Sequence, residues 1–138
     1  MNVPAVDGGF MRFKILLWLL GFVMEQASKN NARFQRKIKT QKFTLQIGCA
    51  DGYARHFVIQ DQKVMSYPGK ASEPIYLGPG HEPAFTITFD SAATGFKTLS
   101  AKDKQLAMIS GLQDKRIKID GNPLYLMWFQ SLGKLLEQ

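Results

Sequence analysis

The spacing of apolar residues changes period several times along the chain, and each change marks an element. Residues 10–34 begin with a nearly unbroken apolar run, ILLWLLGFVM at 15–24, and become polar from Glu25 onward, which predicts one helix. Positions 43–47 (FTLQI) alternate, GCADG at 48–52 supplies turn residues, and positions 53–60 (YARHFVIQ) alternate again before Asp61-Gln62 and a short run at 63–67. Period-two alternation interrupted by turn chemistry predicts a meander of antiparallel strands. Residues 68–83 are rich in proline and glycine around the single apolar island Ile75-Tyr76-Leu77, so a long loop or edge excursion is expected there.

The sharpest strand signal is AFTITFD at 84–90, with Phe85, Ile87 and Phe89 on one side and Thr86 and Thr88 on the other. Asp90-Ser91 can cap a helix over 92–99 that places Phe96 and Leu99 on one face. Residues 103–112 (DKQLAMISGL) predict a second short helix carrying Leu106, Met108 and Ile109 and stopping at Gly111. A strand over 116–120 follows, then an apolar helix over 123–136 with Pro123 in its first turn, where the missing N–H costs nothing. Residues 1–9 mix Pro, Asp and a Gly pair and predict a loose tail, leaving 10–138 as one domain. This order is an α+β plan: an antiparallel sheet of about five strands covered by helices on one face.

Composition adds two constraints. Cys49 is the only cysteine, so the fold stands without a disulfide and a reducing, cytoplasmic setting is expected. The net charge of +7 is uneven: residues 1–60 carry nine Lys/Arg against three acids, residues 61–138 nine against eight. Six bases and no acid fall between Lys29 and Lys42, a stretch that attracts phosphate groups of lipid or of nucleic acid.

The run at 15–24 would span only ~15 Å as a helix, about half a bilayer core, which excludes a membrane crossing. Three readings stay open for it. It is a core helix, or the apolar part of a secretory signal led by Arg12 and Lys14 but followed by a poor cleavage site, or a helix lying on a membrane. In the last reading Phe13, Leu16, Leu17, Trp18, Leu20 and Phe22 dock on the bilayer, and Lys29, Arg33, Arg36 and Lys37 meet anionic headgroups.

Catalytic chemistry finds no constellation. His56 and His81 have no second histidine or cysteine nearby in sequence, Cys49 lacks an evident base, no metal-ligand spacing occurs, and Gly78-Pro79-Gly80 is no phosphate loop. Nucleic acid is the rival partner for the basic stretch, but only Phe34 and Phe43 interleave with its cations. An anionic membrane accounts for the same charge and for the apolar helix beside it.

FTITFD, a short helix, LAMISG, and IKIDGN before a terminal apolar helix together resemble the second half of the sterol carrier protein type-two domain family. The hairpins at 42–67 are similar to the family's opening strands, so the likeness covers about 42–136. Two departures are the extra residues at 112–116 and the loop at 68–83. The resemblance implies a five-stranded sheet and helices enclosing an apolar tunnel for a fatty acyl, acyl-CoA, phospholipid or sterol ligand, with no reaction and no cofactor. Some such domains serve lipid-quinone synthesis, where the pocket would hold a prenyl tail.

On that reading Phe85, Ile87, Phe89, Phe96, Leu99, Leu106, Met108, Ile109, Ile117, Ile119, Leu124, Met127, Trp128 and Leu132 converge between sheet and helices and line the lipid site. Taken without the resemblance, the same residues are packing, since an apolar stripe at helical spacing belongs to a core. An empty hollow of ~400 Å³ would cost on the order of 10 kcal/mol, as much as a domain's whole stability, so such a site holds lipid, collapses or takes up water.

Overall fold

The alternating runs pair into a meander. In the computed structural model, which describes residues 8–71, 73–74, 83–122 and 124–136, β1 (Phe43–Cys49), β2 (Ala54–Gln60) and β3 (Lys63–Lys70) are antiparallel neighbours. Asp61 and Gln62 both take positive φ, 53° and 58°, the two-residue turn geometry whose twist matches the strands it joins. β3 runs on through Pro68-Gly69 and pairs at its end with the two-residue β4 (Glu73–Pro74). The remainder of the expected loop, with Ile75, Tyr76, Leu77 and His81, lies outside the described residues.

The sheet is mixed, not antiparallel throughout. β5 (Phe85–Phe89) lies parallel to β1, from Leu45↔Phe85 to Cys49↔Phe89, and β6 (Ile117–Gly121) pairs antiparallel with β5. The order β4-β3-β2-β1-β5-β6 gives five full strands plus the short β4.

One physical reason that β5 joins β1 and not β3 is that the first helix takes the far edge of the meander. α1 (Gly8–Asn30) lies along β3, where Ser28 Oγ accepts from the Val64 N–H (3.3 Å) and the Glu25 carboxylate from the Ser66 N–H (2.8 Å). A strand edge with free N–H groups invites foreign strands, and α1 covers this one. The open edge of β1 is left for β5. The approach is close at Gly21, where any Cβ would lie 2.2 Å from Ser66 Oγ.

Helix 10–34 is in fact two helices. Asn31 adopts an extended backbone (φ −112°, ψ 110°), its side chain accepts from the Phe34 N–H, and α2 (Ala32–Ile38) starts anew behind this cap. Residues 8–9, expected in the tail, already belong to α1. Ser91 and Asp103 cap α3 (Ala92–Leu99) and α4 (Lys104–Gln113) through the N–H groups of Thr94 and Leu106. Gly111 does not end α4. It lets the helix press onto β6, since a Cβ there would meet Ile117 at 2.2 Å. α5 (Leu124–Leu136) closes the chain.

The register decides the core. Residues paired across strands share a face, which puts Phe43, Leu45, Ile47, Phe57, Ile59, Phe85, Ile87, Phe89, Ile117 and Ile119 on one side of the sheet. All are buried except half-buried Ile119, and Phe13, Leu17 and Met24 of α1 with Phe34 and Ile38 of α2 pack against them. The helices therefore gather over one face, as the pattern implied, and Gln46, Tyr67, Thr86, Thr88, Lys118 and Asp120 stand on the other.

Candidate functional site

The helix-covered face is sealed unevenly. Phe85, Ile87, Phe89, Met108 and Ile117 are at most 3% exposed and form its floor. Phe13 sets its ring edge-on to Phe89 (5.8 Å between centroids), and at the other end Tyr125 of α5 lies on Phe43 (4.3 Å) and near Phe85 (6.1 Å). Around this floor Leu20, Phe96, Leu99, Ile119, Leu126 and Phe129 pack against the core yet stay only half covered. They come from α1, α3, β6 and α5, and this half-covered apolar shell is the candidate site.

Of the residues expected to line it, Phe96, Leu99 and Ile119 are among these six, and Trp128 is likewise half-buried against the core. Leu106 and Ile109 are not: they are 59% and 44% exposed, because α4 turns Met108 and Gly111 to the sheet and leaves the opposite side to water. Leu124 and Met127 are each 67% exposed, since Tyr125 and Trp128 occupy the inward positions of α5. The side chain of Leu132 lies outside the described residues. The sequence reading does not place Leu126 and Phe129 in this shell and gives Leu20 to the membrane face, because the runs 15–20 and 124–129 carry almost no polar residue to set the helix phase.

A second apolar surface lies on the outside of α1. Met11, Ile15, Trp18, Leu19, Phe22 and Val23 are between 42% and 52% exposed and follow one helical stripe about 18 Å long. The rings of Trp18 and Phe22 stack at 5.8 Å. Arg12 and Lys14 flank the stripe, one over the Phe96 ring (5.9 Å) and the other over Tyr53 (5.8 Å), and exposed Lys29 continues it toward the exposed Arg33, Arg36 and Lys37 of α2.

This corrects the expected docking face. Phe13 and Leu17 are fully buried and cannot meet a bilayer while α1 keeps its place; Leu16 and Leu20 are half-buried, and only Trp18 and Phe22 of the apolar six point outward. Among the described residues no helix is long and apolar enough to cross a membrane.

Among the described residues, groups capable of chemistry are few. Cys49 is buried with its thiol near the Tyr53 carbonyl (3.6 Å), and burial, followed by the neighbouring Asp51 carboxylate, pushes the thiol up to about 11. Native Cys49 should react with iodoacetamide at pH 8 roughly tenfold or more slowly than in urea-unfolded protein, because the thiolate is the nucleophile; equal rates would contradict the burial. The unfolded thiol loses its proton first, so this group makes stability fall as pH rises from its ordinary 9.0 to about 11. His56 is buried on the outer face of the sheet, with Nδ1 2.8 Å from the Gly69 carbonyl oxygen and its ring on Tyr67. Among the described residues no cluster of His, Cys, Asp or Glu could hold a metal ion.

No family model and no curated protein matches the chain. Its backbone is similar to that of several solved structures. A UbiJ-SCP2 ubiquinone synthesis protein aligns with TM-score 0.59 at 9% identity, over 90% of this chain and 93% of the other. Sterol carrier protein 2 from Yarrowia lipolytica in its apo form aligns with TM-score 0.53 at 11% identity, over 96% and 94%. Sterol carrier protein domain 2 of Helicoverpa armigera aligns with TM-score 0.50 at 20% identity, over 98% and 92%. With the mixed sheet, the helices on one face and these whole-length alignments, the chain folds as a sterol-carrier-type, SCP2-like domain.

Proposed function

We propose that this protein binds the aliphatic chain of a lipid in the half-covered apolar shell of α1, α3, α5 and the β5–β6 side of the sheet, without chemically altering it. The observation that carries this reading is that Leu20, Phe96, Leu99, Ile119, Leu126 and Phe129 pack against the buried core yet stay half covered. Each methylene leaving water gains roughly 0.8 kcal/mol, so a long acyl chain has ample driving force after the cost of association. Among the described residues, burial raises the Cys49 thiol and the His56 ring is held at the Gly69 carbonyl, so neither is placed at this apolar shell.

The same protein is proposed to load and unload at an anionic membrane through the outward stripe of α1, with the basic residues of α2 at the headgroups. A second reading draws on the likeness to the UbiJ-SCP2 ubiquinone synthesis protein: the tail held is an isoprenoid, and the protein serves lipid-quinone synthesis.

The test is uptake of a fluorescent fatty acid by purified protein, with solvent extraction and mass spectrometry of whatever it carries. Saturable uptake and a co-purifying lipid are expected, and displacement by a prenylated quinone but not by an acyl chain would favour the second reading. No uptake together with an empty extract would overturn both.

A further inference from the structure

The sheet ends at β6. Among the described residues no strand lies beyond it, whereas α1 covers the far edge of the meander. The Asp90 N–H donates to the Arg116 carbonyl (2.8 Å), which fixes the hydrogen-bond phase of the β5–β6 pair. Antiparallel ladders alternate, so Lys118 and Asp120 engage Thr88 and Thr86 through their backbone groups, while Ile117, Ile119 and Gly121 turn theirs to the open edge. Such an edge is a template for another strand.

The side chains of β6 say which strand it fits. Ile117 and Ile119 lie on the helix-covered face; Lys118 and Asp120 are exposed on the other, across from uncharged Thr88 and Thr86, and among the described residues neither forms an ion pair. A lone lysine would blunt the edge by its charge. An aspartate two residues on, on the same face, gives that lysine a match in an antiparallel copy of the strand. With Ile119 opposite Ile119 of the copy, Lys118 of each chain faces Asp120 of the other. A slide by two residues sets Lys118 against Lys118 or Asp120 against Asp120, and a slide by one puts apolar and charged faces opposite each other.

We propose that the β6 edge binds the β6 edge of a second copy of this chain, antiparallel and about a two-fold axis at Ile119, so that the two sheets become continuous. Each Ile119 N–H donates to the Ile119 carbonyl of the copy, and the half-buried Ile119 side chains meet on the helix-covered face. The strand is short, so this dimer belongs to the small, weak class of interface and forms at high protein concentration.

Sedimentation equilibrium of the whole chain at low salt, from about 10 μM to about 1 mM, tests it, and the wild type should pass from monomer to dimer over that range. Lys118→Asp and Asp120→Lys should each weaken association roughly tenfold or more, since either one replaces two matched pairs with two like ones. Both positions are exposed, so the thermal melt should not move. An equimolar mixture of the two variants should associate as the wild type does, because every Lys of one then faces an Asp of the other. A wild type that stays monomeric, a single variant that dimerises undiminished, or a mixture that stays monomeric would overturn the proposal. So would loss of association in Trp18→Glu/Phe22→Glu, which would move the contact to the outer stripe of α1.

Discussion

Phe13→Ala should destabilise the protein by about 3–5 kcal/mol, a third or more of the stability of an ordinary domain. Phe13 is fully buried, sets its ring edge-on to Phe89 and to Tyr53, and lies so close to Gly95 that a Cβ there would meet it at 2.5 Å. Truncation removes the anchor that holds the start of α1 on the sheet and leaves a void that rigid β-strand neighbours cannot fill. Urea unfolding followed by far-UV circular dichroism measures the loss. A change under about 1 kcal/mol, the range of a surface position, would mean that α1 does not pack as described.

Trp18→Glu combined with Phe22→Glu should behave in the opposite way. Both residues are about half exposed and touch each other outside the core, so the melting temperature should hardly move. Binding to vesicles of mixed phosphatidylcholine and phosphatidylglycerol should fall roughly hundredfold or more, since burying two large apolar side chains is worth about 3–6 kcal/mol and two carboxylates now face an anionic surface. Co-sedimentation at several lipid concentrations gives the partition directly. If the doubly substituted protein pellets like the wild type, the outer stripe of α1 is not a membrane face. The pair of experiments separates the two sides of one helix: Phe13 should alter stability, Trp18 and Phe22 should alter docking.

Much of the secondary structure could be read from the residues, because each strand carries its own evidence. Phe85-Thr86-Ile87-Thr88-Phe89 alternates and is flanked by Asp90-Ser91, and nothing remote is needed to see a strand that ends in a helix cap. Which side chains face the core is less legible. Phe96, Leu99, Ile119 and Trp128 sit half-buried against the core, whereas Leu106, Ile109, Leu124 and Met127 point to solvent. In α5 the run Leu124 to Phe129 has no polar residue to mark its outer side, so composition cannot fix the rotation of the helix. The same holds for α1 from Phe13 to Met24, where the membrane reading takes Phe13 and Leu17 outward and their burial puts them in the core.

The sequence by itself determined the local elements: the strand period, the Asp61-Gln62 turn, the Ser91 cap, and the excess of cations near α2. These depend on neighbours within a turn or two, and short-range sterics and hydrogen bonding suffice. Only the tertiary structure decided which faces are covered. The parallel pairing of β5 with β1, the capping of the β3 edge by Glu25 and Ser28, and the outward turn of Trp18 and Phe22 are contacts between distant parts of the chain. Their outcome depends on which apolar surfaces find one another first and fill space best, and an apolar residue looks the same in sequence whether its partner is Phe89 or a lipid.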